Sequence, residues 1–141
     1  MIIKFQKLIA DAKIPTYAHP GDAGLDLYSC ENIVIEPSAR HAVSLGFAME
    51  FPHGFVARIL DRSGMALKNG MHCLAGVVDA GYRGECKAVL INLSNEPYSI
   101  EKGDRVAQML IQPVEICDIE IVEKLSNSER GEGGFGGSGK K

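Results

Sequence analysis

The chain has 141 residues, 45% of them hydrophobic, and 15 Lys and Arg against 18 Asp and Glu give a net charge of −3. That length suits one domain, and near-zero mean hydropathy with no apolar run of about 18 residues excludes a membrane-spanning helix. The mild acidity argues against a general nucleic-acid binder, yet a few local cations and N–H groups suffice to hold a nucleotide.

Period-two alternation dominates the chain and predicts strands. In chain order the candidates are Ile3–Leu8, Asn32–Glu36, His41–Phe51, Phe55–Leu60, Cys73–Val78, Glu85–Leu93, Arg105–Val114 and Cys117–Ile121. Pro20-Gly21-Asp22, Pro37-Ser38, Pro52-His53-Gly54, Ala80-Gly81, Asn95-Glu96-Pro97 and Lys102-Gly103-Asp104 separate them as turns. Only Ser63–Lys68 reads as helix, with Ser63 as N-cap and Gly70 as stop. Many short strands with one short helix imply an all-β sandwich or barrel. The compact domain is expected over 1–125, with 126–141 as a flexible arm.

Met1–Phe5 lacks the apolar core of a secretory signal. Cys30, Cys73, Cys86 and Cys117 are scattered without metal-ligand spacing. They read as small buried hydrophobes in a reducing, cytoplasmic compartment. His19, His41, His53 and His72 pair with no Ser or Cys at a diagnostic spacing, which gives a hydrolase triad little support.

The last twelve residues, Arg130–Lys141, hold six glycines with one arginine, one phenylalanine and one serine. Such a segment is either a plain tail or an arm that closes over a flat, phosphorylated ligand: glycine N–H groups converge on an anion, Arg130 supplies a cation and Phe135 a stacking face. A P-loop is excluded, because Lys141 stands where magnesium needs Ser or Thr and no helix follows. Val77–Glu85 reads as a β-hairpin with Asp79 and Tyr82 at its mouth. Asp79 there either orients a water or bonds its own turn. Asp61-Arg62-Ser63-Gly64 leaves a strand for a helix start and reads either as a phosphate site or as ordinary capping. Asp26, between Leu25 and Leu27, is either exposed, held by a buried partner or part of a metal's water shell. Gln108 alternates with apolar neighbours and taken alone reads as a surface amide.

Five segments stand in a telling order: Ala23–Leu27, Arg62–Ala66, Gly76–Gly84, Gly103–Gln108 and Arg130–Gly136. Together they resemble the five motifs of trimeric dUTP pyrophosphatases, from about residue 15 onward. The resemblance implies a homotrimer of distorted jelly-roll-like β subunits with three active sites at subunit interfaces. It implies hydrolysis of dUTP to dUMP and pyrophosphate, which limits uracil incorporation into DNA and supplies dUMP for dTMP synthesis. Magnesium would ride on the triphosphate. By position, Asp79 would be the general base and Tyr82 would pack on deoxyribose; backbone around Cys73–Gly76 would read uracil. Arg62, Ser63, Gly64 and Gln108 of a neighbouring subunit would contact phosphates. Asp26 would reach the metal through water. Arg130 and Ser138 of a third subunit's arm would hold the γ-phosphate while Phe135, next to Gly136, stacks on the base. Asp61, Gly81 and Gly137 depart from the family's pattern. A dCTP deaminase-like enzyme and a non-catalytic trimeric scaffold are the competing readings.

Overall fold

Side-chain alternation yields eleven strands and one helix across residues 1–133, which a computed structural model describes. The strands are β1 (Lys4–Lys7), β2 (Leu25–Tyr28), β3 (Ile33–Ile35), β4 (Arg40–Ser44), β5 (Phe47–Glu50) and β6 (Phe55–Leu60). After α1 (Ser63–Asn69) come β7 (Met71–Leu74), β8 (Val77–Asp79), β9 (Lys87–Asn92), β10 (Tyr98–Ile100) and β11 (Arg105–Pro113). All pairings are antiparallel. A four-stranded sheet runs β2-β11-β6-β8 and a three-stranded sheet β4-β9-β7, with β1-β5 and β10-β3 as two-stranded pairs. Sequence neighbours therefore land in different sheets, as in a jelly roll. Among the described residues the sheets stay separate and no closed barrel forms.

One apolar cluster ties these sheets together. Leu27, Val43, Phe47, Ala57, Leu90, Ile100 and Met109, from seven different strands, are all essentially inaccessible. Fully burying each large aliphatic side chain contributes about 1.5–3 kcal/mol. In β9 the alternation is plain, with Ala88, Leu90 and Asn92 inward. The Asn92 amide donates to Ile35 O (2.8 Å) and Glu96 O (2.7 Å) and accepts from Ser94, so a buried polar group is fully engaged.

The structure corrects several expectations. His41–Phe51 is two strands, broken at Gly46, whose φ of +69° no extended strand contains. Cys73–Val78 is likewise split: Ala75 (φ 57°) and Gly76 (φ 94°) turn the chain so that β7 and β8 join different sheets. The predicted β8–β9 hairpin does not form, because β8 pairs with β6 while β9 pairs with β4 and β7. Cys117–Ile121 forms no strand. Ile119 and Ile121 are 93% and 96% exposed, and among the described residues no strand pairs with the segment. Gly70 does stop α1 in a left-handed conformation, but the N-cap is Arg62, with no side-chain cap.

Candidate active site

Gly76 begins the site. Its carbonyl accepts Ile59 N–H at 2.8 Å, and a Cβ on it would overlap the Ile59 carbonyl oxygen. Only glycine allows β8 to leave this kink tight against β6. The strand then ends at Asp79, opposite Val56, and the turn closes with Tyr82 N–H to Asp79 O at 3.0 Å. A cleft of ≈ 600 Å³ opens here, lined among others by Ile59, Gly76, Val77, Asp79, Tyr82 and Glu85. Asp79 is exposed, and its carboxylate has no hydrogen-bond partner among the described residues. Tyr82 is 47% exposed and its hydroxyl donates to Glu85 O at 3.1 Å. Asp79 and Tyr82 thus share one mouth, as expected, although the turn beneath them links two sheets.

Glu85, which the sequence reading did not single out, also lines the cleft. Burial alone would raise its pKa, but the Ser44 hydroxyl, Gly46 N–H and Lys87 hold it below the ordinary glutamate value. Burial pushes the thiols the other way: Cys73, also beside Asp61, rises to about 12 and Cys86 to about 11. Neither supplies a thiolate near neutral pH. Cys117, against expectation, is exposed, because it lies in the unpaired segment after β11.

A second cluster sits at the other end of β6. Asp26 is 9% exposed; it takes Arg62 Nε at 3.3 Å on one oxygen and Arg105 at 3.1 Å on the other. Arg62 also donates to Arg105 O at 2.9 Å, which fixes its guanidinium. Gln108 is half-buried rather than a surface amide: it faces Asp26 across β2–β11, donates to Asp61 O at 2.7 Å and packs on Gly24. Asp61 itself turns away from Arg62. Burial opposes its ionisation, but His72 (2.7 Å) and Cys73 N–H lower its pKa overall. Ser63 and Gly64 are exposed at the start of α1, where the first intrahelical bond is Ala66 N–H to Arg62 O. Earlier N–H groups have no intrahelical partner, and no side chain caps them. Arg105 escaped the sequence reading because its partnership with Asp26 depends on the β2–β11 register, with its shift at Arg105–Ala107.

The two clusters do not meet within one chain. Asp79 lies opposite Val56 and Gln108 opposite Leu60, four residues along β6, or about 13 Å. Arg130 is exposed and donates to Gly133 O at 2.7 Å. Phe135, Gly136 and Ser138 lie outside the described residues.

The family model for dUTPase matches residues 10–139. The chain is 46% identical over 140 residues to the deoxyuridine 5'-triphosphate nucleotidohydrolase of Clostridium tetani, covering 98% of this chain and 97% of that one. The chain belongs to the dUTPase family.

Solved dUTPases carry the same fold. That of Staphylococcus bacteriophage 80alpha, with dUPNHPP, superposes with a TM-score of 0.91 at 31% identity over 98% of both chains. A mutant dUTPase from phage phi11 of S. aureus, described with a coordinated structural Mg(II) ion, gives 0.84 at 25% identity, covering 90% of this chain and all of that one. A dUTPase-type chain thus presents an open carboxylate at one end of β6 and two anchored guanidiniums at the other.

Proposed function

We propose that the cleft at Asp79 and Tyr82 is where this dUTPase-family chain hydrolyses dUTP to dUMP and pyrophosphate. The observation that carries this reading is an exposed, unpartnered Asp79 carboxylate at the mouth of a ≈ 600 Å³ cleft walled by Gly76 and Tyr82. Asp79 takes a proton from water, the water oxygen bonds to the α-phosphorus, and the bridging oxygen leaves with pyrophosphate. The Gly76 kink turns backbone groups toward the uracil edge, and Tyr82 packs on the sugar where a 2′-hydroxyl would sit. A pyrimidine that leaves those groups unpaired is rejected.

Phosphate contacts come from a neighbouring copy, through Arg62, Ser63, Gly64 and Gln108, in a homotrimer. In support, about 13 Å of β6 separates Asp79 from Gln108 in one chain. Ile116, Ile119, Ile121 and Leu125 are more than four-fifths exposed, an apolar segment that a second copy would cover. Arg130, Phe135, Gly136 and Ser138 belong to an arm over 126–141 that closes on the ligand, apart from a domain over 1–125.

Among the described residues no three His, Cys, Asp or Glu side chains cluster as a metal cage. What fits is magnesium held by the triphosphate, with Asp26 reached through water: each Asp26 oxygen pairs with one guanidinium and keeps a lone pair for a water. Bound there, the ion would neutralise phosphate charge. No helix among the described residues is long and apolar enough to cross a membrane. All four cysteines are unpaired, which supports a reducing, cytoplasmic setting.

The test is pyrophosphate release from dUTP, dCTP and UTP, with and without magnesium, for the native chain and Asp79→Asn, beside sedimentation. The expected result is magnesium-stimulated turnover of dUTP alone by a trimer, lost in Asp79→Asn with dUTP still bound. Ammonia release from dCTP, or near-native turnover by Asp79→Asn, would overturn the reading.

A further inference from the structure

Tyr82 stands in the cleft because of what lies beneath it. Its side chain folds back along its own backbone and its hydroxyl donates to Glu85 O at 3.1 Å, three residues on. The ring therefore crosses Gly84. A Cβ at Gly84 would lie 2.5 Å from the ring carbon Cζ and 3.0 Å from Cε2, and would overlap the hydroxyl oxygen itself. Real Cβ atoms essentially never approach other heavy atoms closer than 3.0 Å. Gly84 is not in a left-handed conformation, so an alanine there has no backbone objection to overcome. The turn around it is held independently, by Tyr82 N–H to Asp79 O and by Arg83 donating to Ala80 O at 2.7 Å and Tyr82 O at 2.9 Å. The three heavy atoms nearest a Cβ at 84 all belong to the Tyr82 side chain.

We propose that Gly84 is a specificity-positioning residue: its bare Cα is the seat that holds the Tyr82 ring where it discriminates deoxyribose from ribose. This rests on the reading of Tyr82 given above. Gly84 is not part of the cleft lining. It acts through Tyr82 alone. With a methyl group at 84, the ring, half exposed and free on its outer side, swings off its seat and loses its bond to Glu85 O. The sugar pocket then widens on the side where a 2′-hydroxyl has to be refused.

The experiment compares kcat/KM for dUTP and UTP in the native enzyme, Gly84→Ala, Tyr82→Ala and the double variant. Shape discrimination by one small group is worth roughly 10–200-fold, and Gly84→Ala should lower the dUTP:UTP ratio by an amount in that range. In the Tyr82→Ala background the same change should have no further effect, since a residue acting only through its neighbour is silent without it. A native ratio in Gly84→Ala, or an additional loss in the double variant, overturns the proposal. If Tyr82→Ala itself keeps the native ratio, the sugar reading of Tyr82 fails and this inference falls with it, a result distinct from failure at Gly84. Should Gly84→Ala alone not fold, recovery of folding in the double variant supports the ring clash. Failure of both to fold refutes it.

Discussion

Gly76→Ala is the sharpest test of how the cleft is built. At φ 94° an L side chain already strains the backbone, by about 1–2 kcal/mol. The new methyl also meets the carbonyl of Ile59, the penultimate residue of β6, a main-chain group that cannot step aside like a flexible side-chain tip. Relief requires the Ile59 N–H to Gly76 O bond to open, and a buried donor left unpaired costs about 1–3 kcal/mol. Together the loss is about 2–5 kcal/mol. For a chain of this size each kcal/mol moves Tm by about 2–4 °C, so the midpoint should fall by roughly 4–20 °C. Gly81→Ala is the control. It sits five residues on in the same stretch with nothing within 4 Å of its Cβ position, and should stay within about 0.5 kcal/mol of native. Urea and thermal unfolding at one fixed protein concentration measure both. Equal stability of the two variants would refute the close-approach argument, whatever the activities.

Asn92→Ala should lose about 2–4 kcal/mol, because a fully buried amide with two carbonyl acceptors leaves Ile35 O orphaned; urea unfolding reads this directly. Glu85→Gln should change the acid limb of stability. Glu85 binds its proton less readily folded than unfolded, so its contribution is complete above the ordinary value of 4.5 and lost as pH falls through the lowered pKa. Native and Glu85→Gln stabilities should then differ at pH 6 and converge in acid; a constant offset at every pH would contradict the cause assigned. Truncation before Arg130 should leave stability within about 0.5 kcal/mol of native, since residues 114–133 are all exposed, while removing dUTP turnover. A parallel loss of midpoint and turnover would count against the arm.

Strands were legible wherever alternation met a flanking turn. Phe55–Leu60 is β6 to the residue, and Gly70 ends the helix as read. What alternation does not encode is partnership. Val77–Asp79 looks like half of a hairpin with Lys87–Asn92, yet two positive-φ residues just upstream, Ala75 and Gly76, re-aim it to β6. Cys117–Ile121 alternates as well as any true strand and pairs with nothing among the described residues. Periodicity records which faces want burial, whereas the surface that buries them lies elsewhere in the chain or in another copy. The same holds in the site. Asp79 and Tyr82 share one cleft as local sequence suggested, being close along the chain, and Gly76, which only the family resemblance had brought in, lines the same cleft. Arg105 became visible only through register, and Glu85 only through Ser44 and Gly46, 41 and 39 residues away.

The electrostatics of the second cluster separate two jobs that one arginine would otherwise combine. Asp26 lies between Arg62 and Arg105, so one negative charge offsets two positive ones and a single net positive charge is left at the surface. A carboxylate this buried is expensive to leave unpaired, and that expense fixes both guanidiniums in place. Asp61 would neutralise the remainder if it faced the cluster. Its carboxylate instead engages His72 and Cys73 N–H, and only its backbone carbonyl turns toward Gln108. An extra acidic residue beside Arg62, proposed above to contact phosphate, is therefore tolerated without cancelling its charge. A held cation of this kind needs little reorganisation when charge shifts on a phosphate. At the opposite end of β6, Asp79, the base proposed above, is left open to water.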